Sequence, residues 1–481
     1  MRLEKFTNVS LKALACALCA VALLLTFTVS DYYIFNRIGF SENEFNFFFV
    51  LSQWIKKSGL LLIPLAVFLN KRSCADIAKY VLPVFVIISC FVPEGFFSAT
   101  AVTADSTPAE LVYAHINEFL PKAANVTFFY FSNFLYLAIC ALLFAKHGFK
   151  VRGKSFIYLP FAFFACMPLN IFENFFDISK IAPDSFLRFT NFSLWHFLAV
   201  LCLGGFTVGA YYFLKNKDRR TQDCYFLAAA IVLLIQYHSK DSVIMGDGYN
   251  VYHTVFACVP LFICNLGVYV ASVSVILKKK VLYAISFFVH AAGALSVFFY
   301  FGKDEMSNYG IFCSYSILYF TLTHCILFAL AVLPTALGHY KFRFKDAVIP
   351  LIYYLAVVII AAVASALVTS ASMGFSYNGY TLQEGEWLLP NYAFTQENPF
   401  PFTVPFIKIR IWKYDLSLLY VLGLYAFYVG IFATMNATYF AFLAVRKAVL
   451  KRLDKKPVPS SETLAESEAA VAAALENDDD G

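Results

Sequence analysis

Apolar runs of about 20 residues recur along this 481-residue chain, and short charged stretches separate them. A helix needs about that length to cross the hydrocarbon core of a bilayer. The runs fall near 10–30, 47–69, 78–98, 124–145, 155–175, 192–214, 222–238, 254–276, 281–301, 311–336, 346–370 and 415–443. They predict an all-α fold, a polytopic transmembrane helical bundle of about 12 spans. The second run is the weakest, because Lys56 and Lys57 interrupt it. An interfacial segment at 45–55 followed by a short or re-entrant piece is the alternative there. Composition agrees with a membrane solvent: 60% of residues are hydrophobic, 14% are charged, and Phe contributes 55 and Tyr 30. A soluble fold could not bury so much apolar side chain, whereas lipid solvates it.

Charge placement orients the spans. Lys and Arg concentrate in alternate loops: around 2–12, 71–79, 146–154, 215–220, 278–280, 341–345 and 446–456. The remaining segments hold most acids outside the tail, such as Asp31, Glu42, Asp105, Glu118, Asp247 and Asp304. The positive-inside rule then puts both termini in the cytoplasm. The formal charge of +6 reflects this topology and gives no indication of nucleic-acid binding. Most of the 12 cysteines lie inside apolar runs, where Cys is a small packing residue, so no disulfide is expected. The first run has the form of a signal peptide but is read as an uncleaved helix. Residues 457–481 are Ala- and Glu-rich and end on three aspartates, an acidic cytoplasmic tail read as disordered. Two long outer segments remain, 99–123 and 371–414. The aromatics and prolines of the second fit either an ordered cap over the outer mouth or an interfacial aromatic belt.

Polar groups at bilayer depth are costly and usually functional. Four of the eight histidines, His196, His253, His290 and His324, lie in or beside apolar runs of the second half, as does Cys264. On a continuous helix over 254–276, His253, Ala257, Pro260 and Cys264 would share a face, with Pro260 kinking it. His253 would then sit near the outer surface and Cys264 near mid-membrane, about 16 Å further in. Depth counting puts His324 near the level of Cys264, and His290 nearby on a helix running the other way. A histidine within reach of a thiol can take its proton and leave the nucleophilic thiolate. Asn265 or Tyr319 would donate to an oxyanion. His196 and His253 would orient a headgroup or tie helices together. The plain alternative is packing cysteine and helix-bridging histidines. No metal site is expected, since zinc takes four close ligands and no HExxH or close Cys/His pairing occurs. No phosphate loop or G-x-S-x-G elbow is present, and no cofactor is expected.

FTNFSLWHFLAVL at 189–201, VPLFICNLGVYV at 259–270, ISFFVHAAGALSVFF at 285–299, LYFTLTHCILFAL at 318–330 and PNYAF at 390–394 together resemble the bacterial YwaF-like integral membrane proteins. These are relatives of the animal transmembrane protein 164 acyltransferase. The resemblance covers about 187–445, a seven-helix C-terminal block, and leaves 1–180 as an N-terminal membrane module of about five helices. The matching positions are His196, Pro260 to Cys264, Gly293, His324, and Asn391 with Tyr392. Where that family commonly has a histidine two residues before the cysteine, this chain has Phe262. The resemblance implies a bacterial cell-membrane protein that moves acyl chains between lipids, with Cys264 as nucleophile and His324 as base. Its partners would be donor and acceptor membrane lipids. His290, Asn265, His196, His253, Tyr319 and Asn391 would support the site or bind substrate. A transporter or flippase for a lipid-linked or small polar solute is the first alternative, since midplane polar groups also suit a substrate path. A non-catalytic membrane scaffold is the second.

Overall fold

A computed structural model describes residues 2–26, 44–93, 122–169, 186–246, 259–298, 314–377, 379–396 and 408–453. His253, the segment 99–121 and the tail 457–481 lie outside the described residues. The chain is helical with two small hairpins. Its helices are α1 (Arg2–Thr26), α2 (Glu44–Phe68), α3 (Arg72–Ile88), α4 (Lys122–His147), α5 (Leu159–Ala165), α6 (Leu194–Leu214) and α7 (Arg219–Gly246). They continue as α8 (Ile263–Leu277), α9 (Lys280–Ser296), α10 (Tyr315–Ala336), α11 (Val348–Ser372) and α12 (Leu418–Leu453). Among the described residues, seven helices are long and apolar enough to cross a membrane: α1, α2, α4, α6, α10, α11 and α12. Residues 1–428 form one compact unit and 429–481 a second, which contains the later part of α12.

The outward faces show what solvent this fold expects. On α6, Leu194, Phe197, Leu201, Val208 and Phe213 are exposed, while His196, Ala199, Leu203 and Thr207 are buried. A helix that turns its large apolar residues out is solvated by hydrocarbon.

The second apolar run is one continuous helix through Lys56 and Lys57, which replaces the interfacial alternative. The charges are tolerated because α2 is central in its region, packed against α1, α3, α5 and α7. Lys56 Nζ finds Asn133 Oδ1 at 2.6 Å, and Tyr136 Oη donates to the Lys56 carbonyl at 2.8 Å. A buried ion pair fixes the N-terminal end of α3. Asp76 lies 3.1 Å from Arg72 Nε and 3.2 Å from Lys79 Nζ, and it also accepts from Ser155 Oγ. Lys79 adds bonds to the carbonyls of Gly148 and Lys150. Together these ties join α3 to the linker that leads into α5.

The 254–276 run departs from expectation. The helix starts only at Ile263, after an extended Phe262 (φ −80°, ψ 145°), so Pro260 precedes the helix and does not kink it. Cys264 is therefore a first-turn residue, not a mid-helix one. Proline and the β-branched Val259 favour an extended approach over helix, and this local preference overrides the apolar periodicity. The 15 residues of α8 rise about 22 Å, less than a full hydrocarbon core.

Candidate functional site

Helix α8 begins at Cys264's own turn. The N-cap residue is Phe262, whose side chain cannot accept from the first amides, and no side-chain cap is made. Cys264 and Asn265 are half-buried there. An uncapped helix start concentrates amide donors and positive potential, and both favour an anion beside it.

Two glycine contacts bring α9 against this turn. A β-carbon on Gly293 would stand 2.9 Å from Ile263 Cγ2, and one on Gly267 would stand 2.9 Å from His290 Nδ1. Small residues are what let membrane helices approach so closely. His290 is buried, with Nδ1 at 3.0 Å from the Ile263 carbonyl and Nε2 at 3.1 Å from Tyr353 Oη on α11. The carbonyl only accepts, so Nδ1 carries the proton and Nε2 accepts from the tyrosine. Both ring nitrogens are thus committed. His290 fastens α8, α9 and α11 together around the residue preceding Cys264. It sits on a π-helical turn, Ser286–His290, inside α9.

His324 lies on α10 with Nδ1 at 2.8 Å from the Phe320 carbonyl, one turn back. That bond puts the proton on Nδ1 and the basic lone pair on Nε2. Its ring meets Phe320 and Phe298, with centroids 4.2 and 6.0 Å away. His196, on α6, joins the same place from the other side. Its Nε2 donates to the Phe298 carbonyl at 2.5 Å, and Nδ1 accepts the Phe192 amide at 2.8 Å. His196 therefore caps the carbonyl end of α9. His196 and His324 share Phe298 and its surrounding cluster of Phe189, Leu203, Ile317 and Phe320. Tyr319 is half-buried on α10, and its carbonyl accepts from Thr323 Oγ1.

The segment after α11 folds back onto the end of that helix where described. It opens with a hairpin of β1 (Ser376–Tyr377) and β2 (Tyr380–Thr381). It then runs through PNYAF, where Asn391, Ala393 and Phe394 all take positive φ (46°, 48° and 59°). Such residues cost about 1–2 kcal/mol each unless held. Asn391 is held by reciprocal bonds with Gln396, 3.1 Å from its amide and 3.0 Å to its side-chain oxygen. The Tyr392 amide donates to Ser365 Oγ at 3.0 Å. This turn packs on Val259, Leu261 and Phe262, the strand-like approach to Cys264. The Phe262 ring lies edge-on to Tyr392 and Phe394, at 6.2 and 5.6 Å. Phe262 thus serves as the seat of the cap.

Sequence reasoning missed what ties that turn down, a row of hydroxyls at the C-terminal end of α11. Thr369 Oγ1 donates to the Leu388 carbonyl at 2.7 Å, and Ser372 Oγ accepts the Leu388 amide at 2.9 Å. Ser370 Oγ accepts the Tyr414 amide at 3.0 Å from the second hairpin, β3 (Lys408–Ile411) with β4 (Tyr414–Ser417). The signal was the ASALVTSAS stretch of an otherwise aliphatic span. Among the described residues no group of three or more His, Cys, Asp or Glu is placed to hold a metal ion.

A bundle whose described residues include seven helices long and apolar enough to cross a membrane defines a multi-pass integral membrane protein. The chain belongs to the TMEM164 family, which it matches over residues 189–443. That range holds α6 to α11, the cap and most of α12, while α1 to α5 lie outside it. The match identifies the TMEM164 family and not the narrower YwaF-like group. No curated protein and no solved structure was found to match the chain.

Proposed function

We propose that this protein is a membrane lipid acyltransferase or acyl hydrolase with Cys264 as its nucleophile. Membership of the TMEM164 family fits an acyltransferase-related role. The observation that carries the reading is the position of half-buried Cys264 in the first turn of α8, two residues after Phe262, on which the PNYAF turn packs. The thiolate attacks the acyl carbonyl carbon of a lipid ester. The S–acyl bond forms as the C–O bond breaks, and the departing alkoxide takes a proton. First-turn amides receive the oxyanion charge. An acceptor hydroxyl or water then attacks the thioester, gives up its proton and regenerates the thiol. His324 is the base that first takes the thiol proton and returns it to the leaving group. Its Nδ1 bond to Phe320 supports this role by presenting the lone pair on Nε2. His290, bonded at both nitrogens, is a positioning residue. Asn265 and Tyr319 are candidate oxyanion donors. Basic residues gathered in alternate loops support cytoplasmic termini, and the resemblance to bacterial membrane proteins supports a bacterial cell membrane.

The test is trapping. The full chain in micelles is incubated with a phospholipid carrying a labelled acyl group, and hydroxylamine-sensitive label is mapped by peptide. Label on Cys264 that is absent in Cys264→Ala and depleted in His324→Ala is the expected result. Undiminished thioester label in Cys264→Ala overturns the assignment.

A further inference from the structure

A second polar place lies at bilayer depth, centred on α2, which precedes the family-matched block. Lys56 is mid-way along α2 and only 6% exposed. Its ammonium group contacts Asn133 Oδ1 at 2.6 Å, Gln53 Oε1 at 3.4 Å and the Phe129 ring at 4.4 Å. All three are neutral, and no carboxylate of a described residue lies within ion-pair range of it. A cation buried at such depth is expensive and marks a site for an anion or a path for one. The neighbouring Lys57 donates to Ser239 Oγ on α7 at 2.5 Å.

Both lysines line a cavity of about 400 Å³ walled by α1, α2, α4, α7 and Tyr269 of α8. That volume lies within the usual range for a ligand pocket, about 300–1,000 Å³. The wall is graded from polar to apolar. Lys71, just past the end of α2, lies beside the Cys224 side chain near the start of α7, whereas Lys57 reaches Ser239 far along α7. The two helices therefore run antiparallel. Gln53, Lys56 and Lys57 thus share one end with His238 and Ser239. Leu60 and Pro64, one and two turns further along α2, share the other end with Ile231 and Leu234. The cavity is partly open, and Leu23 of α1, which lines it, is 42% exposed.

We propose that this cavity holds a single-chain anionic lipid, either a fatty carboxylate or a lysophospholipid. Its anionic group lies at Lys56 and Lys57, and its acyl chain runs along Leu60 and Leu234. The volume suits one chain better than two, and the graded wall matches one charged end and one hydrocarbon end. The proposal stands whether or not Cys264 is a nucleophile.

The test uses the full chain in an uncharged detergent with a diazirine-bearing palmitate, its crosslinks mapped by peptide. Labelling within 18–25 or 231–239 is expected. Unlabelled palmitate or 1-palmitoyl lysophosphatidylglycerol should compete, and monopalmitoylglycerol should not. Palmitate alone competing assigns the carboxylate, and the lysophospholipid alone assigns the phosphodiester. Lys56→Met should weaken binding at least about tenfold. Leu60→Trp should block it with both lysines intact, and this arm decides the matter if Lys56→Met does not fold. Cys264→Ala should bind as the parent does, which separates this site from the proposed nucleophile. Crosslinks confined to other segments, equal competition by the uncharged glyceride, or full binding in Leu60→Trp would each overturn the proposal.

Discussion

The imidazole of His290 occupies the space that a side chain on Gly267 would need, with 2.9 Å between Nδ1 and the position of an added β-carbon. The ring cannot swing away cheaply, because Ile263 and Tyr353 hold its two nitrogens. Gly267→Ala should therefore part α8 from α9 and cost about 1–3 kcal/mol. Thermal unfolding in detergent would show a lowered midpoint. A midpoint equal to that of the parent would mean that the helices cross less tightly than described.

His196 and His324 meet the same phenylalanine yet should fail differently when replaced. His324→Phe should slow thioester formation by about 10²–10⁴-fold, the usual worth of a positioned base, with little change in melting. His196→Phe strands the Phe298 carbonyl and should cost about 1–3 kcal/mol of stability, with the rate per folded molecule unchanged. Single-turnover acylation beside a melting curve separates the two. Equal kinetic losses in both variants would remove His324 from the chemistry.

Asp76 and Lys79 are both fully buried in the same turn of α3. Replacing Asp76 alone leaves the Lys79 ammonium without a carboxylate and should cost about 3–5 kcal/mol, whereas replacing Lys79 alone leaves Asp76 paired with Arg72 and should cost less. The pair Asp76→Asn with Lys79→Met should cost clearly less than the sum of the singles, since neither charge is then stranded. A double-mutant cycle on unfolding midpoints measures this, and strict additivity would show that the pair is not coupled.

The cap should be acid-labile through Glu386. The Gln383 amide at 2.8 Å and the Tyr380 hydroxyl at 2.5 Å hold this carboxyl below the usual glutamate range. A carboxyl lowered on folding stabilises the loop above its unfolded value, near pH 4.5. That contribution fades as pH falls through the lower, folded value. Cleavage of 376–396 by an acid-tolerant protease should therefore rise as pH falls from about 5 to 3. Glu386→Gln should flatten the rise. An unchanged profile in that variant would assign the acid response elsewhere.

The gross fold was legible because hydrocarbon imposes a length and a polarity that sequence records directly. What escaped was set by tertiary partners. Lys56 and Lys57 cast doubt on α2, since nothing in the sequence says that Asn133 will come alongside. Cys264 was placed too far along its helix, because apolar periodicity continues through Val259 and Pro260 where the backbone is extended. His290 and His324 looked alike by depth. Only the carbonyls of Ile263 and Phe320 show that one ring is spoken for at both nitrogens while the other directs its lone pair away from its own helix.

The π-helical turn at Ser286–His290 has a geometric consequence for α9. A turn one residue wider than its neighbours shifts everything after it by about 100° around the axis. Before it, the helix packs on α8 and α11, and beyond it, on α8 and α10. One rod thereby serves two sets of partners without a proline or a break, and excising a single amino acid from 286–290 would turn Gly293 away from Ile263.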